Sequence, residues 1–366
     1  MATTAQAMVW HGKDRFVRTE MPIPQLNEGE SLVRITAATI CQSDRHTVAG
    51  RRSSPEPSVL GHEGVGVIVQ TNGGVDVDRK PLHEGDRVVW SVVSACGQCD
   101  RCQRGLSSKC RVLKKTGHEL FDDIWPLSGT YSTHMVIRAR QAVVTISETV
   151  PDAVASTAAC AGATVMAAFD AAGCSPDSAA GLVGKRVLVN GVGMLGIYAV
   201  GVAKQLGATH VEARDVNGER LQLAAEWGAH KAVHSGEEPV CPVDVAMEFS
   251  GHPSGVRTAV DSLRIGGTAV LVGSVAPSDP VALDPEWLVR GWRTVTGVHN
   301  FEPRHLAQAV EFLEQCASEL TWDGIVGEPI GLEEVPSAFR EGGDGHAVGA
   351  TRDGQQPMRV VVAPGQ

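Results

Sequence analysis

No stretch of this 366-residue chain is apolar for long enough to cross a bilayer. The uncharged stretches at 153–169 and 187–203 each run 17 residues and are rich in Gly, Ala, Ser and Thr. They fall short of the roughly 20 strongly apolar residues a span needs, and read as buried elements of a soluble protein. A secretory leader is missing too, because residues 1–16 hold no apolar run and Lys13, Asp14 and Arg15 break them up. The expected location is the cytoplasm. Positive charge is not in excess either: 32 Lys and Arg against 42 Asp and Glu leave a net charge of −10. That argues against nucleic acid or an acidic membrane as the main partner, though not against a small basic pocket. There is no internal repeat, low-complexity tract or long linker. Nine cysteines, an odd number, cannot all pair, which speaks against a disulfide framework and for metal or catalytic use.

What is present is an ordinary globular composition, 43% hydrophobic and 20% charged, which excludes a disordered chain. At roughly 150 residues per domain the length suggests two domains. The first half reads as short strands broken by Gly, Pro and charge, at 31–37, 64–70, 87–92 and from 133, a pattern of β-barrels or sandwiches. Near residue 160 the pattern changes. Apolar strands at 186–190 and 210–214 alternate with helical segments at 194–206 and 217–227, and further strands are expected at 231–234, 243–249 and 268–273. Such alternation means βαβ units and a doubly wound parallel sheet, so the fold class is α/β. The tail holds an amphipathic helix at 305–316 and a strand at 358–362 that can return to the first domain.

Cys96, Cys99, Cys102 and Cys110 form a Cys-x2-Cys-x2-Cys-x7-Cys array. Four thiolates this close can close a tetrahedral shell around one Zn²⁺, the pattern of a structural site. Gly97 and Gly105 permit the tight turns. Iron–sulfur clusters also take four cysteines, but the familiar ferredoxin spacings differ from this one, and four unrelated buried cysteines remain the plain alternative. Elsewhere, the strand at 187–190 runs into Gly191-Val192-Gly193-Met194-Leu195-Gly196 and then a helix. Gly191 makes the turn, Gly193 lets a pyrophosphate approach, Gly196 lets helix pack on strand, and the free N–H groups at Met194 and Leu195 suit phosphate. Asp215 ends the next strand, where a carboxylate accepts both ribose hydroxyls of NAD and repels the 2′-phosphate of NADP. The alternative is a solvated cap for the helix that follows. Arg214 beside it would favour the phosphate, so NADP stays the second choice.

Cys41, His62 and Cys160, taken singly, read as small buried residues or a core histidine. Together with the other motifs they resemble the zinc-dependent medium-chain alcohol dehydrogenases, a family of GroES-like plus Rossmann domains. The matching pieces are residues 41–46, Gly61-His62-Glu63-Gly64-Val65-Gly66, the four-cysteine array, Cys160-Ala161-Gly162-Ala163-Thr164 and the glycine fingerprint, in the family's order. One departure is Asn72, where the family has Gly; with Gly73 following, a local shift and an intact site are expected. Residues 115–119, 160–173 and 297–300 also resemble a subgroup associated with phosphonate metabolism.

The resemblance implies a GroES-like catalytic domain at 1–161 and 302–366, with a Rossmann domain at 162–301 inserted. It implies two zinc ions per chain, the second held by Cys41, His62 and Cys160 with one position open, and Glu63 beside it. Zinc then acidifies an alcohol, and hydride passes to NAD. Ser43 and His46 carry the proton away, and Asp44 orients a ligand imidazole. Arg220 and Gly273 join the cofactor residues. Arg51, Arg52, His118 and His299 are candidates for substrate contact, with Arg45, Lys114, Lys115, Trp125 and Asn300 near them, which suits an anionic hydroxyalkyl compound such as a hydroxyphosphonate. A homodimer or homotetramer, with no nucleic-acid or membrane partner, is implied. The rivals are a zinc-free quinone or enoyl reductase of the same superfamily and a non-catalytic zinc- and nucleotide-binding protein.

Overall fold

Alternating apolar residues around positions 33 and 67 produce two long antiparallel strands, Ser31–Thr39 and Glu63–Thr71, paired over nearly their whole length. The computed structural model describes residues 3–122, 124–178, 181–238, 240–340, 349–351 and 356–365. It divides into two units. One comprises Met1–Cys160, Glu302–Ser318 and Trp322–Gln366; the other comprises Ala161–Phe301 and Glu319–Thr321.

The first unit is built on an eight-stranded sheet that continues from Glu63–Thr71 into Arg87–Ser94. Its C-terminal strand, Arg359–Val362, pairs antiparallel with Ser31–Thr39 and so brings residues near the chain end beside residues near its start. Trp90, Tyr131, Met135, Ile35 and Leu60 fill the sheet's interior at 0–2% exposure. Burying side chains of this size contributes about 1.5–3 kcal/mol each. A hairpin of Thr4–Trp10 and Phe16–Pro22, which the sequence reading did not single out, packs a second small core that includes Trp125 and Leu127.

The second unit carries six parallel strands. In spatial order they are Lys231–His234, His210–Asp215, Arg186–Asn190, Val243–Glu248, Leu263–Leu271 and Thr294–Gly297. The order reverses at Arg186–Asn190, the switch point where ligands bind in doubly wound sheets. The expected strand at 268–273 in fact begins at Leu263 and stops at Leu271. Gly273 therefore lies in the turn beyond it, where a Cβ would come within 2.4 Å of the Gly251 nitrogen. Likewise the expected helix at 305–316 begins earlier, at Pro303, whose fixed φ suits a first helical turn. Among the described residues no single helix is long and apolar enough to cross a membrane.

Candidate functional site

Cys41 sits where the strand Ser31–Thr39 gives way to the helix Gln42–Val48, as the residue that caps the helix. Asp44, three residues on, turns its Oδ2 back to accept the Cys41 backbone N–H at 3.1 Å. One short segment thus places a thiol and a carboxylate side by side. His62 and Glu63 enter at the start of Glu63–Thr71, the partner strand, and Cys160 lies at the end of the short helical stretch Ser156–Ala159. One donor atom each of Cys41, His62, Glu63 and Cys160 lie within 4.8 Å of one another, with Cys41, His62 and Glu63 buried. Gly61 makes the approach possible: its φ is +91°, and a Cβ there would strike Thr130 Oγ1 and the Tyr131 ring at 2.3–2.8 Å.

The electrostatics of this cluster are those of a metal site. The two thiols compete for protons: the contact with Cys160 holds Cys41 well below the thiol range against burial, and the same contact pushes Cys160 well above it. His62 is buried, which disfavours its cation, yet Asp44 raises its affinity for a proton. Burial pushes Glu63 up to about 7 even though Arg359 opposes the shift. Two sulfurs, an imidazole and a carboxyl group converge here beside a single guanidinium, Arg359, and a divalent cation would let both thiols ionise together. The donor set, two Cys and one His with a carboxylate beside them, fits Zn²⁺.

Around the cluster each neighbour has a defined job. His62 Nδ1 lies 3.3 Å from Asp44 Oδ1, off the line of a good hydrogen bond, so the contact is chiefly electrostatic. Ser43 Oγ stands 3.4 Å from His62 Nε2, and the His118 ring lies 5.3 Å from the His62 ring, centroid to centroid. Asp44 therefore both caps its helix and faces the imidazole. Three buried partners were not singled out from sequence. Tyr131 donates to Asp44 Oδ2 at 2.9 Å, Thr39 donates to Glu63 Oε2 at 2.7 Å, and Arg359 Nε donates to Glu63 Oε2 at 2.9 Å while its Nη2 lies 3.6 Å from Cys41 Sγ. A charged residue inside the apolar run Arg359–Val362 was the one visible signal for the last.

The four-cysteine array forms a separate knuckle. Cys99 Sγ lies 3.5 Å from Cys102 Sγ and 4.0 Å from Cys110 Sγ, and Cys96 Sγ lies 4.0 Å from Cys102 Sγ. Sulfurs bound tetrahedrally at about 2.3 Å stand about 3.8 Å apart, whereas a disulfide needs about 2.05 Å, so these free cysteines are spaced for zinc. Backbone N–H groups of Gln98 and Cys99 point at Cys96 Sγ, as in thiolate cages, and Gly97 and Gly105 take φ of +69° and +73°.

In the second unit Gly191 turns at φ +87°, and a Cβ on Gly196 would meet the Gly191 carbonyl at 2.1 Å. At Gly193, the residue before the helix Met194–Gln205, a Cβ would meet nothing within 4 Å. The first two glycine demands are thus internal packing; the third leaves open space above free N–H groups, which fits a pyrophosphate. Asp215 is pinned by two backbone N–H groups, Val192 on Oδ2 at 2.8 Å and Asn217 on Oδ1 at 2.9 Å, with Arg220 Nη1 4.0 Å away. Arg214 is buried: its Nε and Nη2 lie 2.6 Å from Glu212 Oε1, and Nη1 donates to the Glu238 carbonyl.

The remaining candidates separate. Arg51, Arg52, Lys115 and His118 share the first unit with the thiol–imidazole cluster, whereas His299 and Asn300 belong to the other unit. Trp125 is a core residue, 4% exposed, with its Nε1 donating to the Val136 carbonyl. Asn72 does not take the left-handed backbone; Gly73 does, at φ +78°, while the Asn72 side chain donates to the Leu26 carbonyl.

Comparison with known proteins finds two family models. Residues 27–148 match the family model for the alcohol dehydrogenase GroES-like domain, and residues 194–315 match that for zinc-binding dehydrogenase. L-threonine 3-dehydrogenase of Proteus mirabilis is 32% identical over 337 residues, covering 88% of this chain and 91% of that protein. The Edwardsiella ictaluri L-threonine 3-dehydrogenase is 29% identical over 345 residues, 90% of this chain and 93% of that one. Among solved structures, an alcohol dehydrogenase of Thermotoga maritima superposes with a TM-score of 0.86 at 29% identity, over 99% of this chain and 100% of its own. The chain belongs to the zinc-dependent medium-chain alcohol dehydrogenases, oxidoreductases that work with zinc and a nicotinamide dinucleotide.

Proposed function

We propose that this enzyme oxidises the hydroxyl of a small anionic substrate to a carbonyl, reversibly, with NAD as hydride acceptor. The observation that carries the reading is the convergence of Cys41, His62 and Cys160, from three distant parts of the chain, on one buried point. In this reading they hold the catalytic zinc, and Cys96, Cys99, Cys102 and Cys110 hold a structural one. Zinc supplies Lewis acidity toward the substrate oxygen, and the nicotinamide ring takes up hydride. The chain's own part is to orient, to exclude water and to move the proton. Asp44 aims the His62 ring. Ser43 and His46, three residues apart on Gln42–Val48, lie on one helix face and lead the released proton outward. Glu63, tied to Arg359 and Thr39, places a carboxyl group next to the ligand sulfurs, its charge favoured by Arg359 and opposed by burial. NAD is favoured over NADP because Asp215 is fixed at the end of His210–Asp215, whereas Glu212 and the Glu238 carbonyl hold the neighbouring cation of Arg214.

Charge supports the anionic substrate class. Burial, then His62, and then Arg52 and Lys115 drive His118 down to about 3. Burial, then Arg52 and Lys109, also lowers Lys115. Cations crowded near a metal cluster suit a substrate that brings its own carboxylate or phosphonate. Threonine, the substrate in the names of the relatives, is a hydroxyl compound with a carboxylate. The test is a panel of neutral alcohols, hydroxy acids, threonine and hydroxyalkyl phosphonates, offered with NAD⁺ or NADP⁺ to zinc-loaded protein while NAD(P)H absorbance is followed. Anionic members should be preferred; turnover of neutral alcohols alone would reject the anion site. Self-association is part of the reading. Thr294–Gly297 is a sheet edge, and Val289, Trp292 and Ile265 nearby are 74–85% exposed, an arrangement that invites a second copy. Light scattering on Trp292→Glu should show smaller particles than the parent.

A further inference from the structure

A carboxylate orients His62, and that carboxylate is itself held from a part of the chain outside the zinc motifs. Asp44 is fully buried and accepts two hydrogen bonds on one oxygen, Oδ2: from the Cys41 backbone at 3.1 Å and from the Tyr131 hydroxyl at 2.9 Å. Its other oxygen, Oδ1, faces His62 Nδ1 at 3.3 Å, and neither of these two atoms has a hydrogen-bond partner elsewhere. The Tyr131 ring cannot swing away. It is fully buried, meets Phe339 edge-on at 6.0 Å between centroids, and closes on Gly61 so tightly that a Cβ there would come within 2.7 Å of it.

We propose that Tyr131 is a positioning residue for the metal ligand His62. Its hydroxyl, by holding Oδ2, fixes the rotation of the Asp44 carboxylate so that Oδ1 stays on Nδ1 and Nε2 is left for the metal. The terminal torsion of an aspartate is broad and two-fold, so one backbone N–H on Oδ2 defines it poorly, whereas two donors from different directions define it well. An ionised carboxylate only accepts, so the tyrosine oxygen is the donor in this contact. The partner on one ring nitrogen of a histidine decides which tautomer it takes and how the other nitrogen meets a metal. The inference rests on the reading of Cys41, His62 and Cys160 as one ligand set.

Zinc release to a chelator tests it, because such partners typically change metal affinity by 10–100-fold. From protein loaded with two zinc ions, Tyr131→Phe should lose one ion about tenfold or more faster than the parent, and the other at the parental rate. In an Asp44→Asn background the same change should add nothing. An indifferent Tyr131→Phe or an equal effect in the Asp44→Asn background would each overturn the proposal. Because the chain has just two tyrosines, Tyr131 and Tyr198, fluorotyrosine incorporated into Tyr198→Phe protein reports on Tyr131 without removing its hydroxyl. Its ¹⁹F resonance should move when the second zinc is added to protein holding one, and a stationary resonance counts against the proposal even if Tyr131→Phe fails to fold. A parent that takes up one zinc per chain would sink the ligand-set reading as well; a parent with two and an indifferent Tyr131→Phe sinks this inference alone.

Discussion

Arg359 and Glu63 stand 296 positions apart and meet as a buried two-pronged pair, Nε to Oε2 at 2.9 Å and Nη2 to Oε1 at 3.3 Å. Their side chains are 5% and 0% exposed, so each is the other's main replacement for water. Removing one partner strands the other, which typically costs about 3–5 kcal/mol, whereas removing both can be nearly neutral. Arg359→Met should therefore lower stability to urea by that order, and Arg359→Met combined with Glu63→Gln should recover most of it. If the double variant is no more stable than the single one, the pair is not the reason the arginine is there.

The two cysteine sets should separate in a metal analysis. Cys160→Ala should bind one zinc per chain instead of two and lose turnover while keeping a cooperative melt, because the sheet does not depend on that ligand. Cys99→Ser should also lose one zinc but melt at lower temperature, since its knuckle has little else to hold it: three of its four cysteines are only half-buried. Zinc binding must also weaken as pH falls, because each ligand binds a proton in the metal's place. The closed site exchanges about four thiol protons and the open one about three, two from thiols and one from imidazole, so the closed site should show the steeper pH dependence below the ligand pKa values. Elemental analysis after dialysis at a series of pH values reads both. Equal slopes would argue against one of the ligand sets.

Legibility in the sequence followed chain distance. The glycine turn was readable because Gly191, Gly193 and Gly196 sit within one strand–turn–helix unit, and the strand Arg186–Asn190 falls where the apolar pattern puts it. The cysteine knuckle is local for the same reason. Cys41, His62 and Cys160 could be joined only through resemblance, since nothing in their spacing brings two strand ends and the end of a short helical stretch together. Tyr131, Thr39 and Arg359 carry no local pattern: antiparallel pairing sets Thr39 opposite Glu63 and Val361 opposite Thr39, and backbone hydrogen bonds to Leu60 and from Met8 place Tyr131. Register across a sheet is a tertiary fact, fixed by burial of one face, and a single sequence leaves it open. Trp125 shows the reverse case: a conspicuous residue near the candidate pocket that proves to be core.

Asp215→Gly should shift cofactor choice. In the proposed reading the carboxylate would face a 2′-phosphate as a like charge, and its removal also frees Arg220, 4.0 Å away. The ratio of kcat/KM for NAD over NADP should fall by about tenfold or more, the equivalent of about 1.4 kcal/mol. Two backbone donors, on Val192 and Asn217, lose their acceptor in the same variant, so binding of both cofactors should weaken. An unchanged ratio would reduce Asp215 to a prop for the glycine turn.

Arg52 offers the sharpest test of substrate charge. Its backbone N–H donates to the His46 carbonyl at 3.2 Å, and its guanidinium disfavours the protonated forms of His46, His118 and Lys115. A cation that grips a remote anionic group binds substrate and transition state alike, so its loss raises KM and leaves kcat nearly unchanged. Arg52→Met should accordingly raise KM for an acidic hydroxyl substrate by about tenfold, in line with about 1.4 kcal/mol for a charge-assisted contact, and leave KM for a neutral alcohol of similar size unaltered. The contrast between the two substrates matters more than either value. A general distortion of the helix Gln42–Val48 would slow both, whereas loss of an anion contact separates them. Equal changes for the charged and the neutral substrate would assign Arg52 to the scaffold.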